Sequence, residues 1–306
     1  MGDEFSWTSA DQIELDSVDG THLQGYRLEG GSPEPIYAKM PKGLWEPRDY
    51  KFCSYEDYEV LKKRIADFRS ICRYGFLFRG LSDSNYNLLP SIARENLYDI
   101  AKEKDAIELL KVRKRGDWGE FAESLDEDLF YSASARHLEL PSRLLDWTSC
   151  LKTALSFAIY DCHKADRDGM LWILAIDRHV YAEPESRSPF GIADSKVHVL
   201  KSEYFSPRHK HCMGKWPIGT QRNFRQGGYF TVTAPEYSGI PLDKMPTLEE
   251  SGITLIPIVL SVLDKKTLRK SRKFKIPRRR LLPKPDSQTK KTIKTLEIFL
   301  KNENKK

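Results

Sequence analysis

No run of 18 consecutive apolar residues occurs among the 306 residues of the chain, so no membrane-spanning helix is expected. The opening Met1-Gly2-Asp3-Glu4-Phe5 is acidic and lacks an apolar h-region. A secretory signal is therefore not expected, and a cytoplasmic location is. Cysteine is scarce: Cys53, Cys72, Cys150, Cys162 and Cys212 are scattered and odd in number, which fits reduced thiols better than a disulfide framework. The chain also lacks G-x-x-x-x-G-K-[ST], G-x-G-x-x-G and G-x-S-x-G, the signatures of P-loop, dinucleotide-fold and nucleophile-elbow chemistry. His209-Lys210-His211-Cys212 offers metal-ligand side chains. Their spacing follows no standard zinc pattern and four well-spaced ligands are missing, so no metal site is expected.

What is present is an ordinary globular composition, 40% hydrophobic and 31% charged, long enough for one large domain or two modest ones. The net charge of +6 is unevenly spread. From Lys265 to Lys306 lie 17 of the 50 Lys and Arg but only Asp286, Glu297 and Glu303 of the 44 acidic residues; the other 264 residues carry 33 basic against 41 acidic side chains. Such a basic end is either a solvated charged face or a contact for a polyanion or an acidic protein.

The chain divides into a polar N-terminal extension over residues 1–50, a main domain over 51–280 and a basic tail over 281–306. Short strands are expected near Gln12–Leu15 and His22–Leu28. A helix is expected from Tyr55 to Cys72, with Ser54 and Asp57 as a capping box and Tyr58, Leu61, Ile65, Phe68 and Cys72 on one face. An aromatic strand over Tyr74–Phe78 ends at Arg79-Gly80. Two helices are expected between Ile92 and Arg136, interrupted at Arg115-Gly116-Asp117; Asp117 caps the second, with Trp118, Phe121, Leu125 and Leu129 on its face. A helix after Thr148 buries Ala154, Leu155, Ala158 and Ile159. Met170–Ile176, Gly228–Val232 and Ile253–Leu260 read as strands, and residues 183–220 as loop. The fold class is α+β, with mixed central sheets flanked by helices.

Three distant segments carry chemistry. The first is Phe78-Arg79-Gly80, followed by Ser82-Asp83 and Leu88-Leu89-Pro90-Ser91. An unpartnered buried guanidinium is costly, so Arg79 must reach solvent, an anionic ligand or a carboxylate such as Asp146; Gly80 lets a ligand approach the backbone. The second runs from His137 to Ser149. Here Thr148 or Ser149 can cap the next helix and offer its N-terminus to a phosphate, Arg143 can grip an anion bidentately, and Trp147 can stack on a flat ring. The bland alternative pairs Asp146 with Arg143, places Trp147 in the core and makes His137 structural. The third is Gln221–Phe230, where Gln226 can hydrogen-bond a ribose and the Gly227-Gly228 pair marks a bulge or turn.

Together these segments resemble the FRG domain family, whose pattern is F-R-G-Q-S-D with a nearby L-L-P-S, then Q-H-x-G-L-P-T-R-L-L-D-W-T, then R-x-x-x-Q-x-G-x-F. The resemblance covers residues 55–280. It includes Phe78–Asp83, Leu88–Ser91, His137, Leu140–Thr148, Ala154–Ala158, Arg222, Gln226, Gly228 and Phe230. The departures are Arg136 for Gln, Glu139 for Gly, Ser142 for Thr and Gly227 for a second Gln. The resemblance implies an ADP-ribosyltransferase-like fold and a bacterial phage-defence or toxin–antitoxin setting.

By that analogy NAD is the substrate. Arg79 and Arg143 hold its phosphates or ribose oxygens, and Gly80 and His137 line the NAD site. Trp147 or a nearby aromatic stacks on nicotinamide, while Thr148 and Gln226 orient the ribose. There is no clean Glu-x-Glu, so Glu139, Asp146 or Gln226 answers the charge that builds on the ribose. RNA or DNA is the favoured acceptor, a protein the next, and an antitoxin or chaperone is a candidate partner for the basic tail. Two other readings are a non-catalytic nucleic-acid- or partner-binding module, and a nuclease using His137 with Glu139 or Asp146 as acid and base.

Overall fold

The computed structural model describes residues 55–71, 74–94, 103–112, 127–137, 142–159, 166–178, 188–201 and 228–271, with the isolated positions 140, 180–182, 184, 290 and 294. In chain order the elements are α1 (Tyr55–Ile71), β1 (Tyr74–Leu81), a single-turn α2 (Ser91–Arg94), α3 (residues 103–112), α4 (Glu127–His137), β2 (Leu145–Thr148), α5 (Leu151–Ile159), β3 (Gly169–Asp177), β4 (His198–Lys201), β5 (Gly228–Val232), β6 (Ile253–Leu260) and α6 (Val262–Lys270). Helices with antiparallel strands make the fold α+β. The described residues fall into two compact units. One is built from residues up to Tyr86, Ser149–Ala182 and Leu248–Lys275; the other from Asn87–Thr148, Glu183–Thr247 and Ile276–Lys306. The expected strands before residue 50, the Ser54 cap, the side chains of Phe68 and Cys72, and Asp117, Trp118, Phe121 and Leu125 lie outside the described residues.

In the first unit β3 is flanked by β1 and β6, both antiparallel to it. The expected strands match closely: Ile253–Leu260 is β6, and Met170–Ile176 gains one residue at each end. Strand side chains alternate between faces. Phe76 and Phe78 of β1, Leu171, Ile173 and Ala175 of β3, and Ile256, Ile258 and Leu260 of β6 form one apolar face. It packs under Tyr58, Leu61 and Ile65 of α1, Leu151, Ala154, Leu155, Ala158 and Ile159 of α5, and Leu268 of α6. Gly80 belongs to that face too, two residues after Phe78. A Cβ there would sit 1.8 Å from the Ala154 carbonyl oxygen and 2.8 Å from the Ala158 nitrogen. The backbone approaching Gly80 on this side is α5.

Helix α6 was not foreseen, and it changes the reading of the basic end. Ser261 and Asp264 form a capping box at its start, and Lys265 is fully buried. The Lys265 ammonium donates to the carbonyls of Ser82 and Arg167, each at 2.7 Å, and Arg269 donates to the Ile159 carbonyl. The basic stretch counted from Lys265 therefore begins with residues integral to this unit. The tail over 281–306 lies outside the described residues apart from Lys290 and Lys294.

In the second unit β5 lies between β4 and β2, again antiparallel. Leu129 and Ala133 of α4 pack with Leu144, Ile192, Leu200, Phe230 and Val232. Strand β4 falls within residues read as loop. Its four residues, His-Val-Leu-Lys, are too short to show a period and acquire their conformation by pairing with β5, Leu200 opposite Phe230.

Gly80→Ala should destabilise the protein by about 3 kcal/mol or more, since the clash is with helix backbone and no rotamer relieves it. Thermal melting of the variant checks this, and a melting temperature within a degree of the parent would refute the close packing.

Candidate functional site

In the first unit Arg79 follows Phe78 on β1 and so stands on the face away from the helices. Its cross-strand neighbour is Trp172, and Trp172 in turn faces Pro257. All three are partly exposed. The loop after Arg79 is tightly held. Asp83, itself buried, accepts from the Asn85 backbone at 3.1 Å and from Arg167 at 3.2 Å. Ser84 donates its N–H to the Asp168 carbonyl at 2.8 Å. With Lys265 on the Ser82 carbonyl, the Phe-Arg-Gly strand runs into a turn anchored at several points.

The second unit brings Leu-Leu-Pro-Ser and the central segment together. The Ser91 hydroxyl accepts from the Ser142 N–H at 3.1 Å and contacts the Ser142 carbonyl at 3.3 Å. The Ser142 hydroxyl accepts from the Leu144 N–H. These bonds set the loop that delivers Arg143, whose side chain is turned inward. Nε donates to Glu103 at 2.8 Å, Nη2 to the Pro189 carbonyl at 2.7 Å and Nη1 to the Thr233 carbonyl at 3.2 Å. The Arg143 N–H donates to the other Glu103 oxygen at 2.7 Å. Side-chain exposure is 1% for Arg143 and 0% for Glu103, so this is a buried ion pair whose guanidinium is met by protein acceptors. Phe190 lies under it, 5.7 Å from the ring centre.

The carboxylate that meets Arg143 is Glu103 rather than Asp146. Asp146 pairs with Arg136 of α4 at 2.8 Å, and both remain partly exposed. Trp147 is buried, with its indole N–H given to the Thr231 hydroxyl at 3.0 Å, which matches the core alternative. Thr148 is not a helix cap. Its backbone is drawn into β2 opposite Gly228, and α5 begins only at Leu151, with its first turn accepted by the Cys150 carbonyl. Ser149 also lies before that point. The register Thr148–Gly228 and Asp146–Phe230 joins the second segment to the strand of the third. Glu139, Gln226 and the His137 side chain lie outside the described residues, as does His209–Cys212.

A supporting network reaches the same loop. Asp128 of α4 accepts from Lys111 of α3 and from the Ser188 hydroxyl, each at 2.6 Å. Ser188 also caps the 3-10 turn Pro189–Gly191 that supplies Arg143's Pro189 carbonyl. Burial pushes the Asp128 carboxyl up, but the Lys111 and Ser188 hydrogen bonds and the Lys111 charge outweigh it and hold it below its ordinary value.

The FRG domain model matches residues 74–167. The chain carries an FRG domain. The match opens at the first residue of β1, takes in Arg79, Gly80, Ser91, Glu103, Arg143 and Asp146, and closes at Arg167, the residue whose carbonyl binds Lys265. The Gln221–Phe230 segment lies beyond it. No curated protein and no solved structure matches the chain.

Two residues important to the FRG domain escaped the sequence reading. Glu103 left a usable signal: it shares the i, i+3, i+4, i+7 face of Ala106, Ile107 and Leu110, all buried, and a carboxylate on such a face needs a partner. Lys265 left none, because a lysine in a basic run looks solvated.

Glu103→Gln should cost about 3–5 kcal/mol by leaving the Arg143 cation buried without a counter-charge. Pairing Glu103→Met with Arg143→Met should recover part of that loss; denaturant unfolding of the single and double variants measures both. Asp128→Asn should lower Tm at pH 7. A carboxyl held below its unfolded value stabilises the fold above that value and stops doing so as pH falls through the folded one. The gap between variant and parent should therefore close below the ordinary carboxylate range, and melting curves from pH 7 down to about pH 3 test it.

Proposed function

We propose that the protein is an NAD-dependent ADP-ribosyltransferase-like toxin of a phage-defence or toxin–antitoxin system, acting on nucleic acid, RNA before DNA, or on protein. The observation that carries this reading is Arg79: a permanent cation on the face of β1 away from α1, α5 and α6, partly exposed and followed by a turn fixed through Asp83, Ser84 and Lys265. A preorganised cation of this kind suits the phosphates of a dinucleotide. The resemblance described above supplies the rest of the reading, including the ADP-ribosyltransferase-like fold.

In the reaction the bond between nicotinamide nitrogen and ribose C1′ breaks, and its electron pair leaves with nicotinamide. Positive charge gathers on the ribose, and the acceptor's lone pair forms the new bond to C1′ with loss of the acceptor's proton. By the resemblance, Glu139, Asp146 or Gln226 is the group that answers that charge, and Thr148 and Gln226 orient the ribose. Asp146 does so with part of its field offset by Arg136, 2.8 Å away. Arg143 is given a different task from Arg79. Engaged by Glu103 and two carbonyls, it holds the Ser142–Thr148 segment in place as a positioning residue, and the anion-gripping role falls to Arg79.

Incubating the purified full chain with labelled NAD and total RNA, DNA or cell lysate should release nicotinamide and label RNA. Arg79→Ala should lower both signals by about a hundredfold or more, with a melting curve showing that the variant is folded. Folded protein that releases no nicotinamide under any of these conditions would end the proposal. Shortened RNA without added mass would instead point to a nuclease, and salt-sensitive RNA binding without either change to a binding module.

A further inference from the structure

Within the first unit an aromatic side chain, Trp172, stands directly across the strand pair from the proposed NAD-gripping cation. On the face of the first unit's sheet away from α1, α5 and α6 the rows are set by register: Leu77, Leu174 and Leu255 in one, Arg79, Trp172 and Pro257 in the next, Leu81, Met170 and Val259 in the last. Exposure changes along them. Leu77, Leu174 and Leu81 are buried, Leu255, Arg79, Trp172, Pro257 and Met170 are partly exposed, and Val259 is 49% exposed. In the middle row Arg79 and Trp172 stand side by side, each with part of its side chain at the surface. Directly opposed residues of an antiparallel pair bring their Cβ atoms to about 5 Å, close enough for one ligand to touch both.

The indole nitrogen of Trp172 is buried and has no hydrogen-bond partner among the described residues. Native chains leave few buried donors unsatisfied, and each one calls for an explanation. Trp147 differs on both counts, being buried as a whole and donating to Thr231.

Resting on the NAD reading given above, we infer that Trp172 is the aromatic platform of the Arg79 site: its indole face stacks on a flat heteroaromatic ring of the dinucleotide while Arg79 holds the adjoining phosphate, and its N–H donates to a ligand oxygen or ring nitrogen. An indole is the strongest stacking partner among the side chains for such a ring. A guanidinium one strand away matches the short distance between a nucleotide's base and its phosphate. Trp172 touches ligand, so it is a binding residue, and it lies five residues past the end of the family match at Arg167.

The test uses isothermal titration of the full chain with NAD, and with AMP and nicotinamide mononucleotide as its two halves. Trp172→Phe keeps a ring but loses the donor and should weaken NAD binding about tenfold. Trp172→Ala should weaken it further, and the half-molecule that loses most affinity identifies the stacked ring. If Trp172→Ala melts early, Trp172→Phe alone decides. Parent-like NAD affinity in Trp172→Phe, with binding lost in Arg79→Ala, would overturn the Trp172 assignment and leave the NAD reading standing. A parent protein that binds NAD in neither calorimetry nor turnover would overturn both.

Discussion

The second unit depends on a charge that it has removed from water. Burying Arg143 is unfavourable unless each part of its guanidinium finds an acceptor, and the acceptors come from places far apart in sequence: Glu103 on α3, Pro189 in a 3-10 turn and Thr233 just after β5. A chain that left any of these out would strand a cation. The requirement therefore selects one arrangement of α3, the 189–191 turn and the end of β5 around the start of β2. The Lys111–Asp128–Ser188 chain extends that constraint to α4. Breaking such a pair by removing one partner is costly because it strands the other charge, and the segment so held carries Asp146 and Thr148 in register with β5.

The first unit solves a similar problem with a lysine. Lys265 is buried against carbonyls of Ser82 and Arg167, and the α6 backbone at Val262 donates to Asp168. Two turns, one after Phe-Arg-Gly and one before β3, are thereby held by a helix more than ninety residues further on. The family match ends where that hold begins, at Arg167. The segment that fastens the signature turn thus lies outside the stretch that defines the family.

Much of the first unit was legible in the sequence because its elements are long and apolar. The β3 and β6 runs are almost continuously apolar, and the α1 face and the α5 residues Ala154, Leu155, Ala158 and Ile159 recur at the spacing of a buried helix face. What stayed hidden was decided by partners. Strand β4 has no pattern of its own and exists because β5 pairs with it. Thr148 has the side chain of a cap, yet Gly228 claims its backbone for a strand. Arg143 looks like an anion clamp in the sequence because Glu103 is forty residues away, and Arg136, noted only as a departure from the family pattern, turned out to be the partner of Asp146. Motif spelling marks which residues matter, while the direction each one faces is set by strand register and by distant counter-charges.

That distinction separates the letters of the Phe-Arg-Gly signature. Side chains alternate along a strand, so Phe78 and Gly80 face α5 and Arg79 faces away. Phe78 fills the core, and Gly80 is glycine because the α5 backbone leaves no room for a methyl group. Neither needs a ligand to explain it, and the expectation that Gly80 opens the backbone to a ligand gives way on this face to helix packing. Arg79 is different: nothing in the packing of the helical face calls for a guanidinium at that position, since its side chain is on the other side of the sheet. Two letters of the signature are thus accounted for by folding, and the functional argument rests on the third, together with the tryptophan that register places beside it.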